Sequence, residues 1–366
     1  MVNREKKILI MAGGTGGHIF PAMSIAEKLK SEGAKVEWLG AVDGLEVQLV
    51  SDQEIPLHLI SVKGLRGQGL LRLLLAPLMI TRAIIQAVFV MRKVKPDCVL
   101  GMGGFVTGPG GVAAKISGIK LLIHEQNAVP GVTNKILSFI ANKVLEAFPN
   151  TFKQRHKVEC TGNPVRESII NMSKISNKTW DSEGPIQMLV LGGSQGAVAV
   201  NEIIPAILAT WKSKEVPCVI HQTGANNLVE TLALYESLGV EPNERLQVTG
   251  FIDDMAKVFS WADVVICRSG ASTVCELAVA GLPSILIPYP HHKDNQQTKN
   301  AQWLSKSGAG IIIQQSELTC DLLKLTLSKL DKDRSKLQLM ASASGQLANS
   351  HASTIIANHC LEAASG

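Results

Sequence analysis

Charge is scarce in this chain: only 18% of its 366 residues are Asp, Glu, Lys or Arg, and the formal balance is +5. No block of Lys and Arg is interleaved with aromatic side chains, so no nucleic-acid partner is expected. The cysteines, at 98, 160, 218, 267, 275, 320 and 360, form no C-x-x-C pair and have no histidine at zinc-finger spacing. They read as reduced, mostly buried thiols of a cytoplasmic protein. The opening MVNREKKILIMAGG contains an apolar run too short for a secretory segment, so no targeting signal is expected. Metal-ligand patterns are missing too. His291 and His292 are adjacent, the wrong spacing for two ligands on one helix, and a spaced D-x-D is absent. The pair Asp253 and Asp254 reads instead as a helix N-cap.

What the chain does contain is organised around Ile8 to Leu29, ILIMAGGTGGHIFPAMSIAEKL. The apolar run Ile8 to Met11 is too brief for a helix and reads as a buried parallel strand. Glycines 13, 14, 16 and 17 permit a tight turn, and Pro21 suits the first turn of a helix ending near Gly33. A helix N-terminus so placed favours an anion or developing negative charge, and His18 lies within it. The loop is neither a dinucleotide fingerprint, whose third glycine would fall at Ile19, nor a Walker A loop, which needs Gly-Lys-Ser/Thr. Many such turns bind nothing. This one, however, has an echo: Met188 to Leu208, MLVLGGSQGAVAVNEIIPAIL, repeats strand, glycine turn and helix. With 46% hydrophobic content the chain can bury two cores, so two similar α/β domains facing a cleft are expected.

Between these units the window 63–95 holds Lys63, Arg66, Arg72, Arg82, Arg92, Lys93 and Lys95 and no acid, interspersed with leucine, isoleucine and phenylalanine. Arg72, Arg82 and Gln86 interrupt it, which disfavours a membrane span. On a helix starting at Pro77, Arg82, Gln86 and Lys93 share one face; the segment reads as a core helix in part and as a docking surface for anionic lipid. A strand at Asp97 to Leu100 leads into a glycine loop, Gly101 to Gly111, where open α/β sheets bind ligands. LLIHEQN ends a further strand; His124 and Glu125 are either a catalytic pair or loop anchors, and neighbours on a strand point to opposite faces. TGNPVR, Thr161 to Arg166, marks the passage between domains. Further on, Val264 to Cys267 is a strand, and a helix from Thr273 carries Glu276 in its first turn, as dipole compensation or as a clasp for vicinal ribose hydroxyls. A final helix runs from Leu347 to Ala363.

Taken together, GGTGGH, GMGGFVTGPGG, HEQN, GNPVR, GGSQGA, GFIDDM, ADVVICRSGASTVCELAVAGLP and KDNQQ resemble the MurG family over essentially the whole chain. The resemblance implies a GT-B fold of two Rossmann-like domains: an acceptor and membrane-facing domain over 1–163, a UDP-GlcNAc-binding domain over 164–345, and a C-terminal helix, 346–366, packing back on the first. It implies an inverting transferase that moves GlcNAc from UDP-GlcNAc to the MurNAc C4 hydroxyl of lipid I, giving lipid II. The enzyme would need no metal or other cofactor and would sit peripherally on the cytoplasmic face of the bacterial inner membrane, with cell-wall synthesis proteins as candidate partners. By the same resemblance, Arg166, Ser194 and the GGSQGA backbone hold the diphosphate, Ile252 touches uracil, and Ala271, Ser272, Thr273, Val274, Cys275 and Glu276 hold the nucleoside with Glu276 on ribose. Gln296 and Gln297 reach the sugar, while Thr15, Gly16, Gly17 and Asn127 close over the donor. Gly103, Gly104 and Phe105 meet the acceptor, and His18 is the base, with Glu125 as second candidate. Family members commonly carry Tyr where Phe105 stands, so a phenolic hydrogen bond to the acceptor is lost here. The rival readings are another GT-B enzyme, such as a UDP-GlcNAc 2-epimerase or a transferase for a soluble acceptor, and a noncatalytic nucleotide-sugar sensor.

Overall fold

The computed structural model describes the chain apart from residues 1–3, 52, 63–69, 154, 176–177, 179, 181–183, 194–195, 212–215 and 293, and apart from the side chains at 70–74, 155 and 175. In chain order the first half runs β1 (Lys7–Ala12), α1 (Gly16–Ser31), β2 (Lys35–Ala41), α2 (Glu46–Ser51), β3 (Leu57–Ile60), α3 (Leu70–Val94), β4 (Cys98–Gly103), α4 (Thr107–Ile116), β5 (Lys120–Glu125), α5 (Val132–Leu137), β6 (Lys143–Glu146) and β7 (Val158–Cys160). The second half runs α6 (Glu167–Ile175), β8 (Gln187–Leu191), α7 (Val198–Ala209), β9 (Cys218–Gln222), α8 (Leu228–Ser237), β10 (Leu246–Thr249), α9 (Met255–Trp261), β11 (Val264–Cys267), α10 (Ala271–Ala280), β12 (Ser284–Leu286), α11 (Gln296–Lys306), β13 (Gly310–Ile312), α12 (Cys320–Lys332), α13 (Arg334–Gln346) and α14 (Ala352–Ala363). Two compact units result, one of Met1–Val165 with Ser350–Gly366, the other of Arg166–Asn349.

Unit 1 is built on a parallel sheet of order β3-β2-β1-β4-β5-β6-β7. Strand order reverses between β1 and β4, and this switch point is where open parallel sheets leave a crevice at the carboxyl ends of their strands. β1 is apolar on both faces and buried along nearly its whole length, as a central parallel strand must be. Its register with β4 shifts between Met11 and Ala12, so Ala12 pairs with Gly103 at the switch point. One core lies under α1 and α14, where Ile356, Ala357 and Cys360 pack with Ile19, Ala22 and Leu29; the other lies under α3 and α4.

Unit 2 repeats the plan with order β10-β9-β8-β11-β12-β13, switching between β8 and β11. α10 ends at Gly281 in the left-handed conformation (φ 62°), which glycine adopts without a Cβ penalty. Asp254 caps α9, accepting from the Lys257 amide at 3.0 Å, as its sequence suggested.

Several boundaries differ from expectation, each for a local reason. α1 starts at Gly16, so Pro21 sits inside the helix rather than in its first turn, and the Gly17 carbonyl loses its usual donor. β4 extends through Gly103 and α4 absorbs 107–111, shortening the glycine loop to a few residues. α3 begins at Leu70 with Pro77 inside it, and Gln86 turns to the sheet, accepting from the Ser61 amide at 2.8 Å. α10 begins at Ala271, so Glu276 lies beyond the first turn. The last helix starts at Ala352 rather than Leu347, because α13 ends at Gln346 and a turn intervenes.

Candidate active site

In unit 1 the loop after β1 is held from below by a residue that motif reading passes over. Glu46 is fully buried at the start of α2, and its carboxylate accepts from the Gly14 amide at 3.2 Å and the Ala41 amide at 2.7 Å. A Cβ on Gly13 would stand 2.5 Å from Glu46 Oε1, so glycine there is a packing requirement. Trp38 donates from Nε1 to the Ala12 carbonyl at 2.9 Å and fixes the end of the strand. Thr15 then takes the N-cap position in extended conformation without a side-chain cap bond, and its carbonyl receives the amides of His18 and Ile19. Thr15 and Gly17 are exposed, Gly16 and His18 half-buried.

The second loop meets the first. Gly104 (φ 84°) packs on Gly13: a Cβ there would fall 2.2 Å from the Gly13 carbonyl oxygen. Gly103 (φ 105°) faces the His18 ring, its absent Cβ only 2.8 Å from Nδ1. Phe105 is 51% exposed and offers a ring where a phenol would offer a donor.

The third loop, after β5, supplies contacts to His18 and to itself. His18 Nδ1 lies 2.9 Å from Gln126 Oε1; Gln126 Nε2 lies 3.2 Å from His124 Nδ1; His124 Nε2 lies 2.9 Å from the Gly162 carbonyl. His124 is wholly buried, and desolvation pushes it down to about 4 against the raising effect of its bond to Gly162. It therefore anchors a loop and is no acid or base toward a ligand. Glu125 is held likewise: Oε1 accepts from the Asn127 backbone and side-chain amides at 3.1 and 3.2 Å, and Oε2 from the Gly131 amide and Asn134 Nδ2 at 3.0 and 2.9 Å. A buried carboxylate with both oxygens so engaged shapes the loop that displays Asn127.

In unit 2 the glycine loop after β8 is organised by Gln222, which accepts from the Gly193 amide at 2.9 Å and donates to the Gly250 carbonyl at 3.1 Å, joining it to the turn that carries half-buried Ile252. Ser194, assigned to the diphosphate, lies outside the described residues. The first turn of α10, at Ala271 to Thr273, carries no acid, and its amides point out of the helix end with no intrahelical acceptor. The Ser272 hydroxyl is enclosed there without a hydrogen-bond partner. Val274 is wholly buried and Cys275 nearly so, and their side chains pack within the unit.

Arg166 and Glu276, assigned to different ligand groups, meet in one ion pair, Nε to Oε1 at 2.8 Å. Burial raises the Glu276 carboxyl above its usual range, opposed by the Arg166 guanidinium. The remaining guanidinium N–H groups are still available to an anion. Gln297, in the first turn of α11, accepts from the Tyr289 amide at 2.9 Å, which leaves its NH₂ to a ligand; Gln296 precedes it. Arg268, unremarked in the sequence, braces this rim by donating to the Ile287 and Pro288 carbonyls and to Gln315 Oε1. Among the described residues no group of three or more His, Cys, Asp or Glu comes together.

Comparison with known proteins agrees with this double plan. The glycosyltransferase family 28 N-terminal domain matches residues 8–146, and the glycosyltransferase family 28 C-terminal domain matches 187–357. A relative from Marinobacter nauticus, named UDP-N-acetylglucosamine--N-acetylmuramyl-(pentapeptide) pyrophosphoryl-undecaprenol N-acetylglucosamine transferase, is 46% identical over 362 residues, covering 99% of each chain. The crystal structure of Acinetobacter baumannii MurG is similar with a TM-score of 0.81 at 39% identity, covering 98% of this chain and 99% of that one. A putative UDP-N-acetylglucosamine 2-epimerase from Listeria monocytogenes, 15% identical, shares the fold (TM-score 0.67, covering 96% and 95%).

Proposed function

Because this chain belongs to glycosyltransferase family 28, and within it to the MurG group, we propose that the site just described transfers N-acetylglucosamine from UDP-N-acetylglucosamine to N-acetylmuramyl-(pentapeptide) pyrophosphoryl-undecaprenol. The chain is a hexosyltransferase of GT-B fold. The observation that carries the mechanistic reading is His18, half-buried in the first turn of a helix at the switch point of a parallel sheet, with its Nδ1 edge occupied by Gln126.

In this reading the acceptor, the MurNAc C4 hydroxyl, meets the loops of unit 1, with Gly103, Gly104 and Phe105 beside it. Its oxygen attacks the anomeric carbon as the bond to the UDP oxygen breaks in line, with inversion, and His18 takes up the hydroxyl proton. The electron pair of the broken bond leaves on the diphosphate. Negative charge growing there is met by Arg166 and by backbone N–H groups at the helix ends of unit 2, the arrangement in which a helix N-terminus does the work of a cation. Glu276 serves the ribose, Ile252 the uracil, and Gln296 and Gln297 the sugar hydroxyls, while Thr15, Gly16, Gly17 and Asn127 serve the donor from unit 1.

The acceptor's lipid places unit 1 against the cytoplasmic face of the inner membrane in this reading, and α3 supports it. Leu75–Val94 is long and apolar enough to cross a bilayer, yet it docks to the unit through Ala83, Ala87 and Met91, while Leu78, Ile85 and Phe89 are 70%, 51% and 63% exposed beside Arg82, Arg92 and Lys93. An apolar face with a basic rim fits an anionic headgroup layer. The deciding experiment offers radiolabelled UDP-GlcNAc with lipid I or with soluble sugars. Label should enter only the lipid fraction. Epimerisation without an acceptor, transfer to a soluble sugar, or donor binding without turnover would each overturn the proposal.

A further inference from the structure

Gln126, which belongs to no assigned role, bridges two imidazoles, and the hydrogen-bond chemistry of the three groups leaves one arrangement of protons. His124 is wholly enclosed and burial holds it neutral. Its Nε2 faces the Gly162 carbonyl at 2.9 Å, a group that only accepts, so the ring proton is on Nε2 and the lone pair on Nδ1. Whatever faces Nδ1 must donate. Gln126 therefore directs its NH₂ to His124, at 3.2 Å, and its oxygen to His18 Nδ1, at 2.9 Å. An amide oxygen only accepts, so His18 donates from Nδ1 and, when neutral, carries its lone pair on Nε2.

Packing holds the ring in the same pose. Gly103, in a backbone conformation that L side chains rarely adopt, lets strand β4 lie against the Nδ1 edge, where a Cβ would stand 2.8 Å away. Glu125, next in sequence, does not compete, since both its oxygens are engaged by Asn127, Gly131 and Asn134.

We propose that Gln126 is a positioning residue for the transfer reaction: with His124 and the Gly162 carbonyl behind it, it holds His18 in the Nδ1–H tautomer and so makes Nε2 the nitrogen that receives the acceptor's proton. The proposal takes the transferase reading as its premise, but the tautomer can be read without turnover. Long-range proton–nitrogen spectra of the imidazoles of the full-length protein, recorded at about pH 8 where neutral rings dominate, identify His18 by the resonances lost in His18→Gln. The wild-type His18 should show a protonated Nδ1 and an unprotonated Nε2. Gln126→Met, close in volume but without the acceptor, should move His18 toward the Nε2–H form and lower kcat by about tenfold or more while KM for UDP-GlcNAc stays within about threefold. Gln126→Glu, whose carboxylate still accepts, should keep the Nδ1–H signature. A wild-type His18 protonated on Nε2 would overturn the proposal without any variant having to fold, as would an unchanged tautomer in a folded Gln126→Met. Spectra as expected in a protein that transfers no sugar would sink the transferase reading instead and with it the catalytic half of this inference.

Discussion

Burial and hydrogen bonding give the imidazoles of this chain different work. His124 and His221 are both enclosed, and burial pushes them down to about 4 and about 3. His221 is engaged on both nitrogens, by Tyr235 Oη at 2.9 Å and Asn201 Oδ1 at 3.1 Å. In the unfolded chain a histidine takes up a proton near pH ~6.5, which these folded rings refuse. Their stabilising contribution is therefore complete above that pH and is lost as pH falls toward 4, at roughly 1.4 kcal/mol per pH unit for each ring. His221→Gln should flatten the loss of stability between about pH 6.5 and pH 4.5, measured by urea unfolding at several pH values. An unchanged slope would mean that His221 is not held neutral. His18 is the half-buried contrast, with one edge tied and the other left for chemistry. His18→Ala should lower kcat by about 10² to 10⁴, the usual cost of losing a general base, while UDP binding by calorimetry stays near normal because the proposed nucleotide contacts belong to unit 2. Loss of UDP affinity in proportion to rate would make His18 a donor-binding group instead.

At the scale of elements, α3 shows how composition misleads about facing. Its leucines and phenylalanine look like core, yet the buried face is lined by Ala83, Ala87 and Met91, where the helix packs closely on α4. Leu78, Ile85 and Phe89 are left outside. Replacing Arg82, Arg92 and Lys93 by Gln should weaken binding to phosphatidylglycerol vesicles by about 1 kcal/mol per surface-facing charge and reduce its salt dependence. Unchanged sedimentation with the vesicles would remove the membrane role of this helix. The helix ends make a second case. Neither α7 nor α10, the two helices of unit 2 that follow the glycine loops, has an acid in its first turn to offset the positive end of its dipole. If these ends and Arg166 neutralise the leaving diphosphate, EDTA should leave the transfer rate intact. A loss of more than about tenfold that Mg²⁺ restores would assign that charge to a metal.

At the scale of the whole molecule, the chain leaves unit 1 at Val165, builds unit 2, and returns at Ser350 to complete the first core. α14 is held by more than apolar contact: Glu159 accepts from Lys143 at 2.6 Å and from His359 at 2.9 Å, and the Lys143 bond foremost holds its carboxyl below the usual range. Deleting Ser350–Gly366 would uncover Ile19, Ala22 and Leu29 and should destabilise unit 1 by on the order of 5 kcal/mol, through loss of several buried side chains at once. Hydrogen exchange should locate the damage in unit 1 and leave the strands of unit 2 protected. Equal loss of protection in both units would show that α14 stabilises the chain as a whole.

The sequence by itself determined the two strand–glycine–helix repeats and the place of His18 at the start of the first helix, because these are written in short apolar runs and in glycines whose backbone freedom acts over a few residues. The family likeness, spread over the full length, was legible for the same reason: its motifs are loops at strand ends. Only the tertiary structure decided what holds those loops. Glu46 reaches Gly14 across 32 positions, Gln126 reaches His18 across 108, and Arg166 reaches Glu276 across 110. None of these pairs leaves a local pattern. Tertiary structure also made His124 a buried loop anchor and sent the alanines of α3 inward. Hydrophobic period states that a segment is strand or helix, but which side of it is covered, and which distant donor meets a buried acceptor, follows from the order in which the strands assemble into a sheet.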